Sequence, residues 1–135
     1  MKSVVAVMVT VGVLLLVALS RDTALAMAMQ SAATGDAVRG KQVFEKRCTG
    51  CHTMVADREG PRLAGVFGRR AGSVAGYAYS SGLKKSGTNG LVWGDTSLEK
   101  WLSDPDALVP DNNMEFRVPK TQERLDLIAY LKHAK

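Results

Sequence analysis

Cys48-Thr49-Gly50-Cys51-His52 contains both cysteines of the chain and one of its two histidines. Thiols three residues apart lie on one side of a helical turn. There they can reach the two vinyl groups on one edge of a porphyrin, while His52 is placed beneath the metal. Cys-x-x-Cys-His is the attachment pattern of a c-type haem, with the imidazole as proximal iron ligand. A Cys-x-x-Cys pair also serves as a redox disulfide or as half of a zinc site. Zinc needs four ligands, and the one further His or Cys is His133, two residues from the end. A thioredoxin-like pair follows a strand, and no strand-like run precedes Cys48. The pentapeptide favours covalent haem over both.

With His52 on one face of the iron, a second side chain must take or guard the other. Met1 and Met8 lie in the leader, and Met27 and Met29 at its end. Met54, two residues after His52, is too close to cross the ring plane. That leaves Met114 and His133. His133 falls in the last turn of a helix that already has a packing role. Met114 lies in Pro110-Asp111-Asn112-Asn113-Met114-Glu115-Phe116, an irregular stretch long enough to bend over a haem face. Most methionines fill cores, but one set among Asp and Asn is a poor filler and a better ligand. A thioether is soft and uncharged, so it favours ferrous iron and raises the reduction potential. Two filled axial positions point to one-electron transfer between Fe(III) and Fe(II), and against catalysis. A peroxidase or haem sensor needs an open iron site, and no distal His with Arg accompanies Met114.

The elements that must position these ligands are helical. Asp36 is an N-cap for a helix with Ala37, Gly40, Val43, Phe44 and Cys48 on one face. Gly40 inside it costs about 1 kcal/mol against Ala, and marks either close approach of another backbone or a tolerated surface glycine. From Thr53 to Gly94 the chain is glycine-rich and turn-rich, with a short helix near Ser80 to Lys85. So long a loop suits a chain wrapped around a large rigid ligand. Thr96-Ser97-Leu98-Glu99 forms a capping box opening a helix with Leu98, Trp101 and Leu102 on its apolar face, and Asp104-Pro105 stops it. The last helix starts near Thr121 and carries Leu125, Leu127, Ile128, Tyr130 and Leu131. The fold is all-α, with three or more helices and long loops.

Met1-Lys2-Ser3 and the apolar run Val4 to Leu19, followed by Ala24-Leu25-Ala26 or Ala26-Met27-Ala28, have the layout of a secretory signal peptide. The alternative is a retained membrane anchor. The expected organisation is a signal peptide over 1–26, cleaved after Ala26 or Ala28, a lead-in over 27–35 and one domain over 36–135. Either way the domain is exported, which in bacteria is where haem is joined to such a motif.

With 18 Lys+Arg against 13 Asp+Glu, the chain carries a formal charge of +5. No basic run exceeds two residues (Arg69-Arg70, Lys84-Lys85) and no aromatic-plus-basic motif appears, so nucleic acid is not an expected partner. A spread-out positive charge reads as a solvated surface, or as weak docking to an acidic protein.

Together these residues resemble the class I cytochrome c family of soluble bacterial and mitochondrial type. The resemblance covers about Asp36 to Ala134 and rests on Gly40-x-x-x-Phe44-x-x-x-Cys48, Cys48-x-x-Cys51-His52, Gly60-Pro61-x-Leu63 and Gly65-x-Phe67-Gly68-Arg69. Further matches are Gly76-Tyr77-x-Tyr79, Trp93, Pro105, Pro110-x-x-x-Met114-x-Phe116 and Leu127-x-x-Tyr130-Leu131. It implies three to five helices and long loops around one haem c, bonded to Cys48 and Cys51 and ligated by His52 and Met114. It further implies that Gly40 and Phe44 cross the Leu127/Tyr130 face of the last helix, and that the Pro61 carbonyl accepts the His52 Nδ1 proton. Arg69, Tyr79 and Trp93 would satisfy the haem propionates. Leu63, Leu98, Trp101, Leu102 and Phe116 would line the pocket, with Trp101 where Tyr is commoner.

Departures from the mitochondrial type are a shorter His52–Gly60 loop, an insertion at Ser86-Gly87-Thr88-Asn89-Gly90, Asp111 for a common Gly and Asn113 for a frequent Lys. They leave the ligands intact but open the question of a lysine docking ring. The implied protein is a periplasmic monomeric electron carrier. It would serve a membrane oxidase, a cytochrome complex or a periplasmic dehydrogenase, and sit at the membrane only if its leader is retained.

Overall fold

The computed structural model describes residues 34–135. The leader and its cleavage region lie outside the described residues. Five helices follow in order: α1 (Ala37–Arg47), α2 (Ser81–Thr88), α3 (Asp95–Ser103), α4 (Pro105–Leu108) and α5 (Thr121–His133). Among the described residues the only β-type pairing is an isolated antiparallel bridge between Arg70 and Val92.

The Asp36 side chain accepts the Arg39 N–H at 2.8 Å, capping α1 as its sequence suggests. Gly40 and Phe44 are buried against α5. A Cβ on Gly40 would overlap the Asp126 carbonyl oxygen, so the helix glycine marks a close backbone crossing. Phe44 and Tyr130 pack with ring centroids 5.6 Å apart, over buried Leu127, Ile128 and Leu131.

The buried side of α5 also carries Asp126 and Arg124. Asp126 accepts from the Asp36 amide at 2.8 Å, Arg39 at 2.9 and 3.0 Å, and Gln122 at 2.9 Å. Arg124 pairs with Glu99 and donates to the Val118 and Pro119 carbonyls. Buried charges persist when every lone pair or proton finds a partner. Here they tie α5 to α1, to α3 and to the chain after Met114.

Two expectations need correction. The helix expected near Ser80 to Lys85 runs to Thr88, so Ser86 to Thr88 are its last turn. Gly87 lets that turn pack on the chain at Ala71, where a Cβ would overlap the Ala71 carbonyl. The helix expected to open on a Thr96 box instead has Gly94 as N-cap. Ser97 Oγ accepts the Gly94 N–H at 2.7 Å and donates to the Val92 carbonyl at 2.7 Å. Asp104-Pro105 stops α3 as expected, and it also opens the next element. The Asp104 carboxylate accepts from Ala107 N at 3.4 Å and starts the short α4, with Pro105 in its first turn.

Candidate haem site

α1 ends at Arg47, and the Cys48 carbonyl accepts from both Cys51 N (3.1 Å) and His52 N (2.8 Å). That one carbonyl winds the pentapeptide into a turn and sets both sulfurs and the imidazole against one cavity of about 290 Å³. His52 Nδ1 is 2.8 Å from the Pro61 carbonyl oxygen. Donating there fixes the tautomer and leaves Nε2 as the nitrogen free to bind a metal. Gly60 closes the other side: a Cβ there would overlap the His52 ring, so the imidazole is seated against bare backbone.

Cys48 is half-buried, and desolvation pushes its thiol up to about 11. Cys51 is exposed, with its sulfur 3.5 Å from a Glu59 carboxylate oxygen. Its pKa is also raised, by desolvation and then by that carboxylate. Neither thiol is activated as a thiolate. Among the described residues no three His, Cys, Asp or Glu side chains converge as a metal site.

Every site residue named from the sequence lines this cavity: Cys48, Cys51, His52, Pro61, Leu63, Arg69, Tyr79, Trp93, Leu98, Trp101, Leu102, Met114 and Phe116. Of the two described methionines, Met54 packs on the core elsewhere and Met114 lines the cavity. His133 is exposed and does not line it. Met114 is held from two sides. Its N–H donates to Asn112 Oδ1 at 2.7 Å, and its sulfur accepts the Trp101 indole N–H at 3.2 Å. Asn112 is itself fixed by donating to Asp106 (2.7 Å) and to the Val109 carbonyl (3.0 Å). Asp111 adopts φ +60, the left-handed conformation that favours the Gly common at this position. Its carboxylate accepts from Ser81 at the start of α2.

Trp93 and Trp101 pack with centroids 5.2 Å apart. Arg69 is half-buried, spends two donors on the Ala64 (3.0 Å) and Arg62 (2.9 Å) carbonyls, and has its pKa lowered by desolvation. Burial raises the Tyr79 pKa. Phe116 differs from Leu63, Leu98, Trp101 and Leu102, being 43% exposed at the rim.

Gly60, Tyr77 and Asn112 also shape the site, though sequence reasoning assigned them no role there. Tyr77 donates its hydroxyl to the Glu59 carbonyl, and its signal was the Gly76-Tyr77-x-Tyr79 match. Asn112 was signalled by Asp-Asn-Asn, a composition that favours side-chain-to-backbone turns. A cavity walled by Leu and Trp side chains, with two thiols, an oriented imidazole and a thioether, fits a flat apolar macrocycle carrying a soft-ligated metal.

Comparison with known proteins agrees. The Cytochrome c family profile matches residues 37–135. "Cytochrome c" of Euglena viridis is 44% identical over 104 residues, spanning 75% of this chain and 99% of the relative. Cytochrome cH from Methylobacterium extorquens superposes with a TM-score of 0.68 at 42% identity, covering 73% of this chain and 99% of that one. Cytochrome c2 from Rhodospirillum centenum gives a TM-score of 0.71 at 33% identity, covering 75% and 99%. The chain therefore belongs to the class I cytochrome c family, small electron carriers built on one covalently bound haem c.

Proposed function

We propose that this protein is a periplasmic one-electron carrier, with haem c bonded to Cys48 and Cys51 and its iron ligated by His52 and Met114. The observation that carries the ligand assignment is the lining of one cavity by both thiols, His52 and Met114, with His52 Nδ1 already engaged by Pro61. The haem supplies a one-electron couple; the chain orients, tunes and shields it. The Pro61 carbonyl would hold the His52 ring in the tautomer and orientation that a ligand needs. Met114, a neutral sulfur, favours the reduced state and a high potential. Arg69, Tyr79 and Trp93 line the cavity and would hold the propionates, which would reduce the cost of burying them. Leu63, Leu98, Trp101 and Leu102 keep water from the iron, while Phe116 stands at the rim. The protein is an electron carrier and not an enzyme; ligation by both His52 and Met114 would leave the iron no open position for catalysis.

The leader assigns the compartment: residues 1–26 direct export and are removed after Ala26 or Ala28, the lead-in 27–35 follows, and 36–135 fold around the haem. Two of the similar structures are bacterial cytochromes, cH and c2. Among the described residues no helix is long and apolar enough to cross a membrane. The partners are redox proteins, either membrane complexes or periplasmic dehydrogenases.

Alkaline pyridine treatment of the purified protein should give a c-type spectrum, and absence of covalent haem ends the reading. Met114→Ala should abolish the weak sulfur-to-iron charge-transfer band and lower the potential. Persistence of both would move the ligand elsewhere. Mass spectrometry of the mature N-terminus separates a cleaved leader from a retained anchor.

A further inference from the structure

The positive charge is not spread out. From Gly60 to Gly94 the chain has five Lys or Arg and no Asp or Glu, whereas the rest of residues 35–135 has 11 against 12. Outside that segment Arg39, Lys41, Arg47, Arg117, Lys120, Arg124 and Lys132 face a carboxylate, whereas Lys46, Arg58, Lys100 and Lys135 have no ion pair among the described residues. Inside it, Arg62 pairs with Asp57 and Arg69 lines the cavity. Arg70, Lys84 and Lys85 are exposed and, among the described residues, make no ion pair.

These three cations are neighbours. A Cβ on Gly72 would stand 3.2 Å from Lys84 Cα, and one on Gly87 would stand 3.6 Å from Arg70 Cγ. Lys84 lies one turn before Gly87 on the same side of α2. The Arg70 stem thus runs along the flank that carries Lys84, and Lys85 follows round the helix. Ser80 and Leu83 face the cavity from this same region, whereas the three cations do not line it. The exposed charges among the cavity-lining residues are instead Glu59 and Glu115.

We propose that the outer flank of α2, formed by Arg70, Lys84 and Lys85, docks an acidic, extended protein segment, a run of Asp and Glu carried by a partner. Stable folded interfaces centre on apolar anchors, and Val92 is the one exposed large hydrophobic between Gly60 and Gly94. Contact here is therefore by charge. Lys84 and Lys85 are successive on a helix and project about 100° apart, so they do not present to a common plane as a bilayer surface would require. A chain that bends round the helix meets all three cations. The cavity rim, with Cys51 and Phe116, stays uncovered while the segment is bound. That such a dock holds the carrier beside its partner rests on the electron-carrier reading, but the binding itself does not.

The test uses the haem-loaded protein and an oligoglutamate peptide, followed by amide NMR shifts. Expected are shifts over residues 70–74 and 81–90, binding that weakens with added salt, and a loss of affinity of about tenfold in R70Q/K84Q/K85Q. That variant should keep the parent potential, and K46Q/K100Q should bind as the parent does. Three results overturn the proposal: equal binding by the triple variant, shifts confined to 51–59 and 113–116, or binding to phosphatidylglycerol vesicles but not to the peptide. A protein that binds the peptide yet shows no reversible one-electron couple keeps the dock and loses the carrier reading.

Discussion

Trp101 donates its indole N–H to the Met114 sulfur at 3.2 Å. Indole nitrogen is a donor only and does not titrate, so pH does not remove the proton that it offers to the sulfur. With Met114 on the iron, a proton shared with sulfur draws density from the thioether and favours ferrous over ferric iron. Trp101→Phe should therefore lower the reduction potential. One hydrogen bond is worth about 1 kcal/mol net. Only part of that differs between redox states, which translates to a fall on the order of 10–40 mV. Trp101→Tyr, which restores a donor, should recover part of it. Equilibrium redox titration decides, and an unchanged potential in Trp101→Phe removes the tuning role.

The seat of the imidazole depends on what Gly60 lacks. A Cβ there would overlap the His52 ring, so Gly60→Ala must displace the imidazole or the loop that carries Pro61. Overpacking of this kind costs about 1–3 kcal/mol. The expected signs are a lower thermal midpoint, a lower yield of haem-loaded protein and a shifted Soret maximum. Gly50 lies in the attachment turn with open space around it, and Gly50→Ala should leave all three unchanged. Equal behaviour of the two variants would refute the steric account.

Asp126 makes stability depend on acid. Burial alone would raise its pKa, but hydrogen bonds from Arg39, the Asp36 amide and Gln122 outweigh burial and hold the carboxyl below its ordinary value. A depressed carboxylate stabilises the fold above the unfolded pKa, near 4. That stability is lost as pH falls through the folded value. Asp126→Asn should cost about 2 kcal/mol at neutral pH by breaking the tie between α1 and α5. The difference from the parent should shrink as pH drops below about 4. Urea denaturation at neutral and acid pH measures it, and a gap that does not narrow with acid would exclude this carboxylate.

What the sequence disclosed divides along physical lines. Phe44 and the Leu127, Ile128 and Leu131 set were legible because a helix of 3.6 residues per turn stamps its period on whatever it buries. Cys48 to His52 was legible because two thiols and an imidazole gathered on one turn form a recognised attachment pattern. The last turn of α2 was not, because Ser86, Gly87 and Thr88 are weak helix formers, and they are helical here only through packing on Ala71. Nor were the buried roles of Arg124 and Asp126, since charged residues on a helix normally mark its wet face and their partners lie 25 and 87 residues away. The clustering of charge on α2 needed both readings: composition shows where acids are missing, and the fold brings Arg70 beside Lys84 and Lys85 with no ion pair among the described residues.

Asn112 ties down the loop that carries Met114. It accepts from the Met114 amide and donates to Asp106 and to the Val109 carbonyl, so one side chain spans the loop from α4 to Met114. Removing it should leave Met114 sulfur with Trp101 as its main restraint, while the backbone before it gains freedom. Asn112→Ala is expected to destabilise the folded protein by about 1–2 kcal/mol. It should also let external imidazole displace the sulfur about tenfold more readily. Loss of the charge-transfer band during an imidazole titration of ferric protein reads this directly. Asn112→Asp keeps the acceptor for the Met114 amide but loses both donors and sets a carboxylate against Asp106, so it should fall at or beyond the alanine variant in stability. If Asn112→Ala titrates like the parent, the sulfur is held by Trp101 and the cavity wall alone.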